Sequence, residues 1–183
     1  MLSVMETEVV EAFDELYRAH YEALLGYALR RTAEPADAAD VLAEVMMVAW
    51  RRRADLPPPD QCRLWLFGVA RRVLANQRRG ELRRQLLAQR LRAELGEAGS
   101  GTSGARDSPV LAAMALLNER DREVLELVAW EDLRPEEIAV VLDCSSGAAR
   151  VRLHRARRRL RALLETGARA EGSLLSCRPK EAL

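Results

Sequence analysis

Seven arginines lie from Arg150 to Arg161, in a stretch, SSGAARVRLHRARRRLR, that begins at Ser145. Guanidinium groups stay charged across the physiological pH range and present planar forks of donors. Their natural partners are phosphates, carboxylates and the acceptor edges of bases. Such a run can be a solvated helix face, a helix lying on a membrane, or an element that meets DNA. The membrane reading is weak: Val151, Leu153, Ala156 and Leu160, the apolar positions expected to pack inward, include no Trp or Phe to anchor an interfacial helix.

Two further groups could do chemistry. Between Arg63 and Arg92 the bases Arg63, Arg71, Arg72, Arg78, Arg79, Arg83, Arg84, Arg90 and Arg92 face Glu81 alone, and Asn76 among them can bond a base edge. Upstream, Asp37, Asp40 and Glu44 sit in an acidic stretch, with Asp40 and Glu44 four apart on one helix face. By composition alone, such acids simply solubilise a helix. Enzymatic residues are not evident. His20 and His154 are far apart and neither falls in a catalytic or metal motif. Cys62, Cys144 and Cys177 form no disulfide framework and no zinc pattern, which fits a reducing cytoplasm. No cofactor or metal is expected.

The net charge of +1 hides an alternation. The chain is acidic to Cys62, basic from Arg63 to Arg92, acidic from Val110 to Asp143 and basic from Arg150 to Arg161. Two modules follow, each with one side for a polyanion and one for something else. At 49% hydrophobic residues the chain can bury a core, no apolar run reaches membrane-spanning length, and the acidic N-terminus is no signal peptide.

The elements that must position these groups are helices, because the apolar spacing is three and four and period-two alternation is absent. One helix is expected over Glu8–Thr32, with a stripe from Val9 through Phe13, Leu16, Tyr17, Tyr21, Leu24, Leu25 and Ala28. A second is expected over Ala36–Arg53, after Pro35. Consecutive prolines at 57–59 make a loop. Asp60 could then cap a third helix, Gln61–Arg79, with a continuation from Glu81 to Leu95. Residues 96–108 hold four of the ten glycines and read as a flexible linker. Helices then follow over Val110–Leu117, Asn118–Trp130, Arg134–Leu142 and Ser146–Leu164, with a loose tail over 167–183. The chain is thus an all-α protein of two helical domains, 1–95 and 109–166. In the second, a short helix with Glu136 and Glu137 in its first turn, a tight Asp143–Cys144–Ser145 turn and a helix capped by Ser145 or Ser146 make a helix-turn-helix. Its second helix would lie in the major groove. Arg150 and Arg152 are early enough to reach bases, while Arg155, Arg157, Arg158, Arg159 and Arg161 would hold phosphates.

At this point the sequence resembles a family. Leu116 to Leu127, LLNERDREVLEL, is similar to the LP-x-x-x-R-E-V-L helix of bacterial sigma factors. Glu136 to Arg157 resembles their E-I-A-x-x-L…S-x-G-T-V-K-S-R-L-x-R-A-R, the domain 4 that reads the −35 promoter element. Asp37 to Trp50 resembles D-A-E-D-L-V-Q-E-T-F-L-R-A-W, the domain 2 helix that docks on the polymerase clamp. Leu64 to Arg79 resembles W-L-x-x-I-A-R-N-x-x-L-D-x-x-R-R, the helix that binds and melts the −10 element. Both domains in order, with only a tether between them, resemble the extracytoplasmic-function class of sigma-70 factors.

The resemblance implies partners and residues. Core RNA polymerase, at its clamp and flap, would meet Asp37, Asp40 and Glu44. The −10 strand would meet Arg63, Trp65, Arg71, Arg72, Asn76, Arg78 and Arg79, with Trp65 either core or a stacking platform. The −35 element would meet Ser145, Ser146, Ala148, Arg150, Arg152, His154, Arg155, Arg157 and Arg158. An anti-sigma protein is implied as a restraining partner, and membrane insertion is not. Ala43 stands where the family prefers Gln, and Met46 where it prefers Phe, as a core exchange. Residues 56–63 replace the usual polar loop, where the family captures its flipped base, which leaves the −10 preference open. Two other readings compete: a stand-alone regulator, which needs neither the clamp-like helix nor the basic helix around Asn76, and an enzyme, for which no motif speaks.

Overall fold

The computed structural model describes residues 4–95 and 108–176, and among these every regular element is helical. The elements are α1 (Val4–Leu29), α2 (Pro35–Arg51), a short 3-10 turn (Arg53–Asp55), α3 (Pro59–Leu95), α4 (Pro109–Leu116), α5 (Glu119–Ala129), α6 (Pro135–Leu142) and α7 (Ser146–Ser176). They fall into two compact units, α1 to α3 in the first and α4, α5, α7 and most of α6 in the second. The expected linker lies, apart from Ser108, outside the described residues, as does Cys177.

In the first unit, local chemistry sets the helix ends. The last carbonyls of α1 are taken up where Thr32 Oγ1 donates to Ala28 O at 3.0 Å and Arg31 Nη1 to Tyr27 O at 3.0 Å. Pro35 then opens α2, at a position where its missing N–H is not needed. The prolines break the chain as expected, but Pro59 is itself the first residue of α3, so Asp60 lies inside the first turn rather than capping it. Helix α3 runs through Gly80 without a break. One glycine costs only about 1 kcal/mol in a helix, too little to stop a long one.

The three helices pack on one another around Leu24, Tyr27 and Ala28 of α1, Val41, Val45 and Ala49 of α2, and Leu66, Phe67 and Ala70 of α3, all buried. The Tyr27 and Phe67 rings stack at 5.1 Å, and Met46 is buried as a core exchange requires. The expected stripe of α1 is only half used. Val9 and Tyr17 are exposed, because α1 begins earlier than its pattern indicates, at Val4, and its first turns overhang the core.

In the second unit the starts of α5, α6 and α7 are held by side chains, whereas Ser108 makes no side-chain cap for α4. Asn118 Oδ1 accepts from the Asp121 backbone N–H at 3.0 Å, and its Nδ2 donates to the Asp121 carboxylate at 2.6 Å. The Glu137 carboxylate accepts from the Arg134 N–H at 2.8 Å, the reciprocal arm of a capping box. Between α6 and α7 the backbone turns at Asp143, whose φ of 53° is left-handed, and the Cys144 N–H returns to Ala139 O at 3.0 Å. Ser145, not Ser146, caps α7, its Oγ accepting from the Ala148 N–H at 3.2 Å. Helices α4 and α5 both pack on α7. Leu153 and Ala156 are buried as expected and Leu160 is half-buried, but Val151 is 50% exposed and points outward, contrary to expectation. The tail expected to be loose is helical to Ser176, because nothing between Leu164 and Ser176 breaks a helix except isolated glycines.

Candidate functional site

The exposed side of α7 resolves into two flanks by helical spacing. Ala148, Arg152, Arg155 and Arg159 follow one another at four, three and four residues. With Gly147 and Val151 they line a groove of about 860 Å³ against Asn118–Asp121 at the start of α5. Arg150, His154, Arg157 and Arg161 repeat the same spacing on the opposite flank, with Val151 and Arg158 between the two.

Two arginines of this run are tied to carboxylates. Arg159 Nη1 donates to Asp121, which is only 4% exposed and also held by Asn118. Arg159 therefore joins α7 to α5 rather than standing ready for a phosphate, a correction to its expected role. Arg150 Nη2 donates to Glu136 Oε1 at 2.5 Å across the turn. The Arg150 guanidinium, by its hydrogen bond and its charge, holds the Glu136 carboxyl below its ordinary range. Arg152, Arg155, Arg157 and Arg158 have no carboxylate partner among the described residues, and all but the half-buried Arg152 are exposed. Ser146 is half-buried in the first turn, while Ser145, Ala148 and His154 are exposed. The start of α7 and the two flanks of its exposed side thus carry the whole expected −35 set.

On α3 the expected −10 residues divide between two faces. Trp65, Arg72, Asn76 and Arg79 follow at seven, four and three residues, and Arg79 donates to Asn76 Oδ1. Trp65 is half-buried. Arg71 and Arg78, seven apart, lie on the other side of the exposed arc. Arg63, a turn before Phe67, holds its guanidinium 5.3 Å from that ring.

Helix α2 carries the acids on one line. Asp37 and Asp40 are exposed and Glu44 is half-buried. Their spacing of three and four continues to Met47, which is 51% exposed, and Trp50, 37% exposed. Phe13 meets the Trp50 ring edge-on at 5.0 Å, and the Arg53 guanidinium lies 4.7 Å over it. Phe13, Ala43, Met46, Met47, Trp50 and Arg51 line a shallow apolar depression of about 310 Å³. In the sequence Trp50 ends the apolar set Val41, Leu42, Val45, Met46, Val48 and Ala49 of this helix. The wide apolar stripe of α2 signals burial, and only the fold shows which edge of it stays open.

The remaining titratable groups are dispersed. His20 is half-buried in α1, and burial together with the positive charge of Arg63 pushes its pKa down. Burial pushes the Cys62 thiol up, leaving it a poor nucleophile. No cluster of His, Cys, Asp or Glu suited to a metal occurs among the described residues, and no described helix is long and apolar enough to cross a membrane.

A capped helix-turn-helix with an arginine-rich second helix, and a separate three-helix unit pairing a basic helix with an acidic–apolar one, define a two-module DNA-binding protein with a protein-docking face. The comparisons agree with that class. Residues 16–84 match the model of sigma-70 region 2, and residues 108–160 that of sigma-70 region 4. The chain is 31% identical over 156 residues to the ECF RNA polymerase sigma factor SigL of Mycobacterium tuberculosis, covering 82% of this chain and 87% of the relative. It is 32% identical over 162 residues to the RNA polymerase sigma-E factor of Streptomyces antibioticus, covering 87% of each.

Among solved structures, CnrH in complex with the cytosolic domain of CnrY is 27% identical with a TM-score of 0.58, over 85% of this chain and 89% of that one. The fold is shared with the sigma factor RpoE of Bartonella quintana, solved in complex with the anti-sigma factor NepR, at 22% identity and a TM-score of 0.58, over 85% of this chain and 98% of that one. The chain belongs to the extracytoplasmic-function class of sigma-70 RNA polymerase sigma factors: it serves transcription initiation by joining core polymerase to promoter DNA.

Proposed function

We propose that the three surfaces divide the work of this sigma factor. The outer line of α2, from Asp37 through Asp40 and Glu44 to Met47 and Trp50, docks on the clamp of core polymerase, and the second unit meets the flap. An apolar depression beside a row of acids suits a partner helix that is basic on one side and apolar on the next. The exposed arc of α3 holds the −10 strand. Half-buried Trp65 offers an aromatic ring for stacking, Asn76 a base-edge amide, and Arg71, Arg72, Arg78 and Arg79 hold phosphates, with Arg63 beside them. Capture of an unstacked base on such a surface lowers the cost of opening the duplex. Helix α7 enters the major groove at the −35 element. Ser145, Ser146 and Ala148 lie at its tip, Arg150, Val151, Arg152 and His154 within reach of bases, and Arg155, Arg157 and Arg158 on phosphates.

The observation that carries this reading is the α7 arginine face, capped at its start by Ser145 and left free of carboxylates at four positions. The factor adds no chemical step of its own and works in the cytoplasm, where polymerase and chromosome are. An anti-sigma protein is its second partner, covering the α2 face. CnrH, which this chain resembles, was solved in complex with the cytosolic domain of CnrY, and RpoE of Bartonella quintana with the anti-sigma factor NepR.

Co-elution of the full chain with purified core polymerase tests the docking surface. Asp40→Ala/Glu44→Ala and Met47→Glu are each expected to weaken binding at least tenfold with the unfolding midpoint unchanged. Unaltered binding by both would move the docking surface elsewhere.

A further inference from the structure

We propose that Glu136 is a positioning residue for promoter recognition: it holds the Arg150 guanidinium in a fixed plane so that this one arginine reads a base rather than a phosphate. The inference rests on the assignment of α7 to the −35 element. Four observations carry it. Glu136 and Arg150 lie 14 residues apart, on different helices of the helix-turn-helix, yet their side chains meet at 2.5 Å. The neighbouring acid, Glu137, already supplies the reciprocal cap of α6 and binds the Arg134 side chain at 3.3 Å, so Glu136 is not needed to start its helix. Arg150 sits in the second turn of α7, where side chains reach base edges. Its neighbours Arg152, Arg155, Arg157 and Arg158 have no carboxylate partner among the described residues.

Physical chemistry separates the two kinds of arginine. A phosphate contact gains from net charge and tolerates a mobile side chain, so a carboxylate on the same guanidinium lowers its worth. A base contact gains from orientation. Guanidinium has five N–H donors in a rigid fork, and one edge spent on Glu136 leaves another edge aimed in a fixed direction. The base that offers two acceptors to such an edge is guanine, through O6 and N7. Both side chains are more than half exposed, so the pair adds little to stability, and its value lies in direction.

The test uses holoenzyme and a promoter recovered by run-off transcription, with duplexes carrying each of the four base pairs at every −35 position. Arg150→Ala should flatten the preference at one G·C pair. Glu136→Gln should flatten the same pair by about three- to tenfold while raising affinity for unrelated DNA, because a negative charge beside the backbone is gone. Arg150→Ala/Glu136→Gln should be no flatter than Arg150→Ala. The unfolding midpoint should not move. Equal strengthening on all four base pairs by Glu136→Gln, with Arg150→Ala still flattening one, would overturn the positioning role alone. If Arg150→Ala leaves every −35 preference intact, the proposal falls, and if Arg152→Ala and His154→Ala leave them intact too, the assignment of α7 falls with it.

Discussion

At the residue scale, the side chains that fix the second unit are those with a designated partner. Asp121 is buried, bonds Asn118 and Arg159, and so fixes the start of α5 to the middle of α7. Asp121→Ala should destabilise the second unit by about 1–3 kcal/mol: it strips a cap partner and leaves the Arg159 guanidinium unpaired, with the loss moderated because that guanidinium is more than half exposed. Chemical denaturation monitored in the full chain checks this, and Arg159→Ala should cost less than Asp121→Ala.

His20 makes a prediction about pH. Its folded pKa lies below 6.5, lowered by burial and by Arg63. The unfolded chain therefore binds the proton more readily, and stability should fall as pH drops from above 6.5 through the folded pKa. Thermal melts between pH 7.5 and 5.5 should show a declining midpoint that flattens in His20→Gln. An identical slope in the variant would remove His20 as the cause.

At the element scale, much was legible in advance because helix signals are local. Pro35 and Pro109 open helices, the prolines at 57–59 break one, and apolar spacing marks the inner faces of α2 and α7. What was not legible required knowing what packs against what. Val151 belongs to an apolar set with Leu153 and Ala156 by composition, yet its angular position on α7 puts it outside. Trp50 and Met47 continue the stripe of α2 beyond the width that α1 and α3 cover, so they stay exposed and shape the apolar depression. Gly80 and the glycines of α7 look like stops but act singly, and cooperative helix propagation runs through them. The Glu136–Arg150 pair could be found only in three dimensions, since a separation of 14 residues has no local signature.

At the scale of the whole molecule, a net charge of +1 conceals a division of labour. Acids collect on α1 and α2 and at the starts of α5 and α6, whereas bases collect on α3 and α7. On the proposed division of surfaces, each unit offers DNA a positive face while the chain stays close to neutral, and tight promoter binding should require polymerase to bring both faces to one duplex. Affinity of the isolated chain for DNA should accordingly be weak and steeply salt-dependent.

The most direct test is run-off transcription with purified core polymerase, with and without this chain, on a pool of promoter fragments. Specific starts should appear only with the chain and vanish in both Asp40→Ala/Glu44→Ala and Arg150→Ala/Arg152→Ala. DNA binding without core binding or specific starts would contradict the account.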